Sequence, residues 1–392
     1  MRILHVPTAW PRDPGDVITP WLVTLAERQA ERGHEVHVLA PSYAGLGDQR
    51  QGELHVHRYR YAPARWERLT HEETTPDRLE RNPAWGLLLP GYVAAGTRAA
   101  RRLGRNLRPD AVHVHWAIPH GVHGAAAARA ARAALVTTFY GAEIRWAERR
   151  FPPGKAFLRW YGRRSHLVAI SESTRRMLAP YALRPIDVIP YGVSMPGEAA
   201  AGGRAADPPI LLFVGRLVTR KGVDRLLEAL ATLRDRPWRL EVIGFGPERE
   251  RLEALAGQLG LAERVAFLGR VPNEELTAAY RRATAFVLPA TLDEREDTEG
   301  LGVVLLEAMS HALPVVATRR GGITDVVIDG RTGILVEDEV PALAAGVRRL
   351  LEDPATARDM GERGRERVRT AFGWDSIVDR LEAVYGRGPV GA

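Results

Sequence analysis

The chain has 392 residues, 45% of them hydrophobic and 26% charged, with 38 Gly, 27 Pro and no Cys. That length predicts two domains or three, at roughly 150 residues each, and the missing cysteine excludes disulfides, thiolate metal sites and cysteine nucleophiles. The formal charge of +7 invites an anionic partner. Only Lys155 and Lys221 of the 55 basic residues are lysines, so the 53 arginines reflect a compositional bias and a well-placed lysine carries more information.

Met1–Val6 is too short and polar for the apolar region of a signal peptide and reads as a first strand. Further strands are predicted at Glu35–Ala40, Leu54–Tyr61, Ala111–His115, Val136–Phe139, Leu167–Ile170 and Val188–Pro190. Between the first two, Trp21–Arg32 carries Leu22, Leu25 and Ala26 on one helical stripe, and Gly33 stops it. The uncharged stretch Asn82–Thr97 falls short of the roughly 18 apolar residues of a membrane span. The expectation is a cytoplasmic protein, soluble or peripheral at the inner membrane face.

Ser194–Pro209 is small and Gly/Pro-rich without an apolar face, which predicts an interdomain linker. The strand–helix rhythm then restarts at Ile210–Val214, Leu240–Ile243, Val265–Leu268, Ala285–Leu288, Val315–Ala317 and Ile334–Val336. Strand, helix and strand in succession mean parallel sheets with crossover helices. Two doubly wound α/β domains are therefore expected, with ligands at the carboxyl ends of their strands in a cleft between them.

Three segments of the second domain carry chemistry. Val214-Gly-Arg-Leu-Val-Thr-Arg-Lys-Gly222 ends a strand at Gly215 and feeds Arg216 and Lys221 into a helix, an arrangement suited to phosphate. It is not a Walker loop, because Arg220 and Gly222 stand where Gly and Ser or Thr are required. Gly244-Phe-Gly246-Pro247 follows a strand as a dinucleotide turn would, but Arg249 occupies the third glycine position. It predicts only a backbone that comes close to a ligand. Glu299-Gly-Leu-Gly-Val-Val-Leu-Leu-Glu-Ala-Met309 places Gly300 and Gly302 at a helix head and Glu307 in an apolar helix. Treated as one helix, the eight residues from Glu299 to Glu307 span roughly 12 Å, too far for a shared acid/base pair.

These motifs, with Phe267-Leu-Gly-Arg-Val-Pro-Asn-Glu-Glu-Leu276, Gly33–Pro41, Ile189–Val193 and the terminal Phe372–Tyr385, resemble glycosyltransferase family 4, retaining enzymes of the GT-B fold, over essentially the whole chain. The resemblance implies two facing Rossmann-like domains: residues 1–194 for the acceptor and 208–373 for a nucleotide-sugar donor, UDP- or GDP-linked. Helix 374–386 packs back onto the first. It implies that Arg216 and Lys221, beside Gly215, hold the donor diphosphate. The amides of Gly300, Leu301, Gly302 and Val303 cap it, Glu307 binds the ribose and Glu299 the sugar hydroxyls. Gly244 and Gly246 line the donor, and Arg270 and Val271 lie against its base. Arg216 and Lys221 would stabilise charge on the leaving diphosphate, with Glu299 the third catalytic candidate through the sugar hydroxyls, while a donor phosphate oxygen takes the acceptor proton. No metal and no other cofactor is expected, and no nucleic acid; the assembly would be a monomer or homodimer.

The family's T-F-H-G stretch reads Thr138-Phe139-Tyr140-Gly141 here. Tyr140 can bond a sugar hydroxyl but carries no positive charge near neutral pH. With Gly141, His115, Trp116 and His120 it completes the candidate sugar or acceptor contacts. His113-x-His115 with nearby His120 and His123 also has the look of a zinc set, against which stand the missing Cys and flanking carboxylate. Arg145–Arg164 holds seven basic residues and one acid interleaved with aromatics. That composition suits anionic lipid or a phosphorylated acceptor, although the favoured reading is a solvated helix whose aromatics face the core. The expected activity is hexosyl transfer to a hydroxyl in a surface glycan, glycolipid or secondary-metabolite glycoside. The alternatives are a soluble disaccharide or sugar-phosphate synthase or phosphorylase, and a non-catalytic nucleotide-sugar-binding protein.

Overall fold

In the computed structural model the chain divides into two compact units, Met1–Gly192 with Trp374–Ala392 and Val193–Gly373. Residues 1–13, 15–16, 18–196, 206–292 and 298–390 are described. Most of the expected linker (197–205) and the acidic loop ending at Asp297 lie outside the described residues. Val193 belongs with the second unit because its N–H donates to the Phe372 carbonyl and it bridges Gly373. The second unit therefore starts at Val193, not at 208.

The first unit holds β1 (Arg2–Val6), β2 (Glu35–Pro41), β3 (Gln49–Gln51), β4 (Leu54–Tyr59), β5 (Ala111–His115), β6 (Ala134–Phe139), β7 (His166–Ala169) and β8 (Asp187–Val188). Their order is β3-β4-β2-β1-β5-β6-β7-β8, parallel except for β3. β3 is three polar residues long and adds only an antiparallel edge, so no hydrophobic pattern announces it. The inner strands are buried on both faces, which is why they read as unbroken apolar runs.

Among the described residues seven α-helices precede the linker: α1 (Pro20–Glu31), α2 (Thr75–Arg81), α3 (Leu89–Leu107), α4 (Ala117–Ala131), α5 (Ala142–Arg149), α6 (Gly154–Gly162) and α7 (Glu172–Leu178). One sheet face carries a core with Leu39, Val112, Val114 and Phe139 under α3 to α6. The opposite face carries Ile3, Val36, Val38 and Val136 under α1 and the chain's last helix. On that last helix Trp374, Ile377, Val378, Leu381, Val384 and Tyr385 form one buried stripe at spacings of three and four. α3 and α4 approach closely because Gly96 and Gly104 face His123 and the Ala127 carbonyl, where a Cβ would collide at 2.4 Å in each case.

The second unit has β9 (Ile210–Val214), β10 (Arg239–Ile243), β11 (Val265–Gly269), β12 (Ala285–Leu288), β13 (Val315–Thr318) and β14 (Ile334–Val336), all parallel, in the order β11-β10-β9-β12-β13-β14. Its helices are α8 (Val223–Ala231), α9 (Arg249–Gln258), α10 (Asn273–Arg282), α11 (Val303–Ser310), α12 (Ile323–Val326), α13 (Val340–Glu352) and α14 (Pro354–Ala371). The chain then ends in α15 (Trp374–Tyr385), the last helix of the first unit. Both sheets reverse strand order once at the centre, between β1 and β5 and between β9 and β12. Such switch points open crevices at the strands' carboxyl ends, where ligands bind in doubly wound sheets.

Candidate active site

At the second unit's switch point the loop after β9 meets the loop before α11. Thr219–Lys221 forms a turn of 3-10 helix, and Gly222, at φ 64°, lets α8 begin at Val223. A Cβ on Gly222 would meet the Pro289 carbonyl at 1.9 Å, so the turn is seated directly against the end of β12. That seating buries Lys221, whose ammonium is ion-paired with a Glu299 carboxylate oxygen; Arg220 Nη1 lies 3.5 Å from the same oxygen. Burial alone raises Glu299, but Lys221, Arg220 and the Gly302 N–H outweigh it and hold the carboxyl below its ordinary range. Glu299 is the one side-chain partner of Lys221 among the described residues, and an ammonium has three N–H donors, so two remain for an anion. Arg216 is exposed and has no side-chain partner among the described residues.

Gly302 caps α11 at φ 87°, so Glu299 through Gly302 are not helical. The 12 Å separation expected from continuous helix therefore does not apply; only Val303 to Glu307 follows helical rise. In α11's first turn Leu305 N–H donates to the Gly302 carbonyl, whereas the Val303 and Val304 N–H groups have no backbone acceptor among the described residues. One turn on, the half-buried Glu307 accepts the Tyr280 hydroxyl at 2.8 Å on Oε2. Burial pushes its pKa up and Tyr280 only partly offsets this.

The other glycines at this edge serve packing between loops. A Cβ on Gly244 would lie 1.8 Å from the Gly215 carbonyl, and one on Gly246 would lie 2.1 Å from the Leu217 carbonyl. The close approach read from G-x-G is thus to a neighbouring loop, and the backbone between these glycines presents Phe245 outward. Phe245 is exposed, and the Arg270 guanidinium lies 3.8 Å from its ring centroid. Val271 follows, half-buried. Arg220, Phe245 and Tyr280 were not singled out by sequence; a guanidinium on a ring needs two loops that only the sheet brings together.

The first unit's switch point is built differently. His5 from β1, His113 and His115 from β5, Gln29 from α1 and Tyr385 from α15 are all buried there. His5 Nδ1 lies 3.0 Å from His115 Nε2, and His5 Nε2 lies 2.7 Å from Gln29 Oε1. His113 contacts the Tyr385 hydroxyl at 2.7 Å and Thr138 Oγ1 at 2.8 Å, and His115 Nδ1 contacts the Tyr140 hydroxyl at 2.8 Å. Burial lowers all three histidines, His5 to about 4. The three rings offer one nitrogen each within 4.8 Å of one another, as a metal set would. Every one of their six nitrogens, however, already has a hydrogen-bond partner.

Tyr140 is half-buried between Trp21 and Tyr191, at ring separations of 5.2 and 5.7 Å. Gly141, at φ 99°, precedes α5. This turn lets the Tyr140 N–H donate to Glu143 Oε1 at 2.8 Å. Glu143 is fully buried, its Oε2 has no partner, and burial pushes it up to about 7. Two acceptor candidates are placed elsewhere. His120 is buried on the other side of the sheet, against the Tyr92 hydroxyl at 2.9 Å and the His123 ring. Trp116 caps α4, its N–H directed at the Thr138 carbonyl. His115 has both nitrogens committed within the protein.

In the Arg145–Arg164 segment, Trp146 stacks on Phe151 at 5.4 Å, both pack with Phe157 against the core, and Tyr161 is fully buried. Only Trp160 is exposed, with Arg164 over its ring. The aromatics face inward; Arg149, Arg150, Lys155, Arg159 and Arg163 face solvent. No helix among the described residues is long and apolar enough to cross a membrane.

Residues 20–195 match the model "Glycosyltransferase Family 4" and residues 197–367 match "Glycosyl transferases group 1". A GDP-mannose-dependent alpha-(1-6)-phosphatidylinositol monomannoside mannosyltransferase of Mycolicibacterium smegmatis is 34% identical over 328 residues, 79% of this chain and 84% of that protein. The chain belongs to glycosyltransferase family 4. A D-inositol 3-phosphate glycosyltransferase of Acidothermus cellulolyticus is 33% identical over 76% of this family 4 chain and 72% of its own. Among solved structures, sucrose-phosphate synthase from Thermosynechococcus elongatus covers 99% of both chains with a TM-score of 0.76 at 22% identity. The fold is GT-B, with two Rossmann-like units, and the family 4 protein is a hexosyltransferase.

Proposed function

We propose that the enzyme transfers a hexose from a nucleoside-diphosphate sugar, with GDP-mannose the first candidate, to a hydroxyl of an inositol-bearing acceptor, with retention at the anomeric carbon and without a metal. The observation that carries this is the second unit's switch point: Lys221, with two N–H donors to spare, and the uncommitted Arg216 beside the head of α11. A diphosphate gains charge as the sugar bond breaks, so fixed cations and amides there stabilise the transition state more than the ground state. Glu299 is held ionised by Lys221 and suits sugar hydroxyls as an acceptor. Glu307, fixed by Tyr280, keeps Oε1 for a ribose hydroxyl, and the Arg270–Phe245 pair offers a flat face to a base. The two relatives named above act, by name, on phosphatidylinositol monomannoside and on D-inositol 3-phosphate, and inositol is the moiety they share. A lipid-linked acceptor fits the outward-facing arginines of α5, α6 and α3, where Arg98, Arg101, Arg102 and Arg105 are exposed.

Thermal-shift measurements with UDP-, GDP-, ADP- and TDP-sugars test the donor, because a bound donor raises Tm. Transfer from the stabilising donor to phosphatidylinositol, its monomannoside and inositol phosphate then separates a glycolipid enzyme from a soluble sugar-phosphate synthase. The product's anomeric configuration by NMR and full activity in EDTA are the expected results. Inversion, or loss of activity on chelation, defeats the mechanism.

A further inference from the structure

The buried chain at the first unit's switch point has a determinate direction. Gln29 Oε1 can only accept, so His5 Nε2 carries the proton. In a neutral imidazole the other nitrogen is then an acceptor, so His115 Nε2–H donates to His5 Nδ1. His115 Nδ1 therefore accepts, and the Tyr140 hydroxyl donates to it. On the other arm, Gln29 Nε2 donates to the Tyr385 oxygen at 3.1 Å, which turns the Tyr385 hydrogen toward His113 Nδ1. His113 Nε2–H then donates to Thr138 Oγ1. Each ring uses one nitrogen to donate and the other to accept, all three rings carry Nε2–H, and no ring nitrogen is left for a metal.

Tyr140 and Thr138, the residues at the two ends of this chain, both line one cavity of about 30 Å³, together with His113 and His115 and with Trp21, Tyr191 and other apolar side chains. Tyr140 has given its hydrogen away and presents an oxygen that can only accept. Thr138 has received a hydrogen on its oxygen and keeps its own to donate. The geometry points to a subsite for a single hydroxyl group, which must accept from Thr138 and donate to Tyr140. The volume suits one such group, supplied by a sugar or by a water. The sugar case rests on the hexosyl-transfer reading above, whereas the polarity of the chain does not.

The test is long-range ¹⁵N–¹H correlation on histidine-labelled full-length protein at pH 7.5. The expected pattern is Nε2–H for His5, His113 and His115. Tyr385→Phe is expected to alter His113 alone, because Gln29 still accepts from His5. Nδ1–H tautomers at these rings, or a shift of their resonances on adding ZnCl₂ alone, would overturn the subsite. Titration with methyl α-D-mannopyranoside separates the sources. Perturbed His113 and His115 signals, lost in Thr138→Val, identify a sugar hydroxyl; unperturbed signals with the Nε2–H pattern intact assign the subsite to water. In the sugar case, Thr138→Val raises the acceptor KM about threefold to tenfold with little change in kcat. If the tautomers are as expected but no hexosyl transfer is found, the functional proposal fails and the subsite stands.

Discussion

The two switch points share one topology and hold opposite chemistry. In the second unit the crevice is charged: Lys221, Arg220 and Glu299 form an ion-paired cluster that keeps a carboxyl ionised. In the first it is polar but neutral: three histidines, Gln29, two tyrosines and Thr138 satisfy one another, and the nearby Glu143 is raised by burial rather than lowered by a cation. The same backbone crevice therefore suits a diphosphate in one unit and uncharged hydroxyls in the other. Side chains, not topology, decide which.

The largest way to break the contrast is Lys221→Ala. Transfer should fall about 100-fold or more, since a charge-assisted phosphate contact is worth a few kcal/mol in the transition state. Stability should drop by about 3 kcal/mol, because the buried Glu299 carboxylate loses its ammonium and keeps only the Arg220 guanidinium, 3.5 Å away. The double variant Lys221→Ala/Glu299→Gln should recover stability by denaturant unfolding but not activity; recovered activity would remove Lys221 from the donor site. Glu307→Gln keeps an acceptor for Tyr280, so it should fold normally while weakening donor use about tenfold, read as a donor KM.

Glu143 and Glu299, one buried carboxyl from each crevice, also differ in the sign of their pH dependence. Glu143 is raised to about 7 in the folded state, so between its ordinary value near 4.5 and 7 the folded protein binds the extra proton and stability falls as pH rises. Glu143→Gln should therefore stabilise the protein at pH 8, by about 3 kcal/mol. Glu299 is lowered, so its contribution is present above its unfolded pKa and is lost as pH falls through the folded one. The buried histidines act in the same direction: stability is complete above about 6.5 and declines toward pH 4 as the unfolded chain takes up protons first. Unfolding midpoints from pH 4 to 8, in wild type and in Glu143→Gln, check all three signs. The smallest effect is expected on the surface: charge reversal at Arg149, Arg150 and Arg163 should reduce sedimentation with anionic vesicles and leave transfer to a soluble acceptor unchanged.

Much of this was legible before any coordinates. Parallel strands buried on both faces must be apolar throughout, and twelve of the fourteen strands hold an apolar run within the sequence-derived bounds or one or two residues beyond them, such as Ile210–Val214 and Ala285–Leu288. The polar edge strand β3 carried no such pattern, and β8, at Asp187–Val188, barely overlaps its expected run. The rarity of lysine singled out Lys221, and the apolar helix around Glu307 singled out that carboxyl. What was misread has a common cause. Gly244 and Gly246 were assigned to a ligand's backbone approach, yet the backbones they admit are those of Gly215 and Leu217, on the loop after β9 some thirty residues earlier in the chain. His120 lies three residues from His123 on a helix and five from His115 on a strand, and only the sheet decides that it faces Tyr92.

By itself, then, the sequence determined the strand–helix rhythm, the two doubly wound units and the cationic loop at the head of α8, because periodicity and local charge are properties of neighbours in the chain. Only the tertiary structure decided that Lys221 holds Glu299, that Arg270 covers Phe245, and that His5, Gln29, His113, His115 and Tyr385 join into one directed chain ending at Tyr140. Those are pairings between residues up to 356 positions apart, such as Gln29 with Tyr385. A hydrogen bond depends on where two atoms meet, which no local pattern encodes.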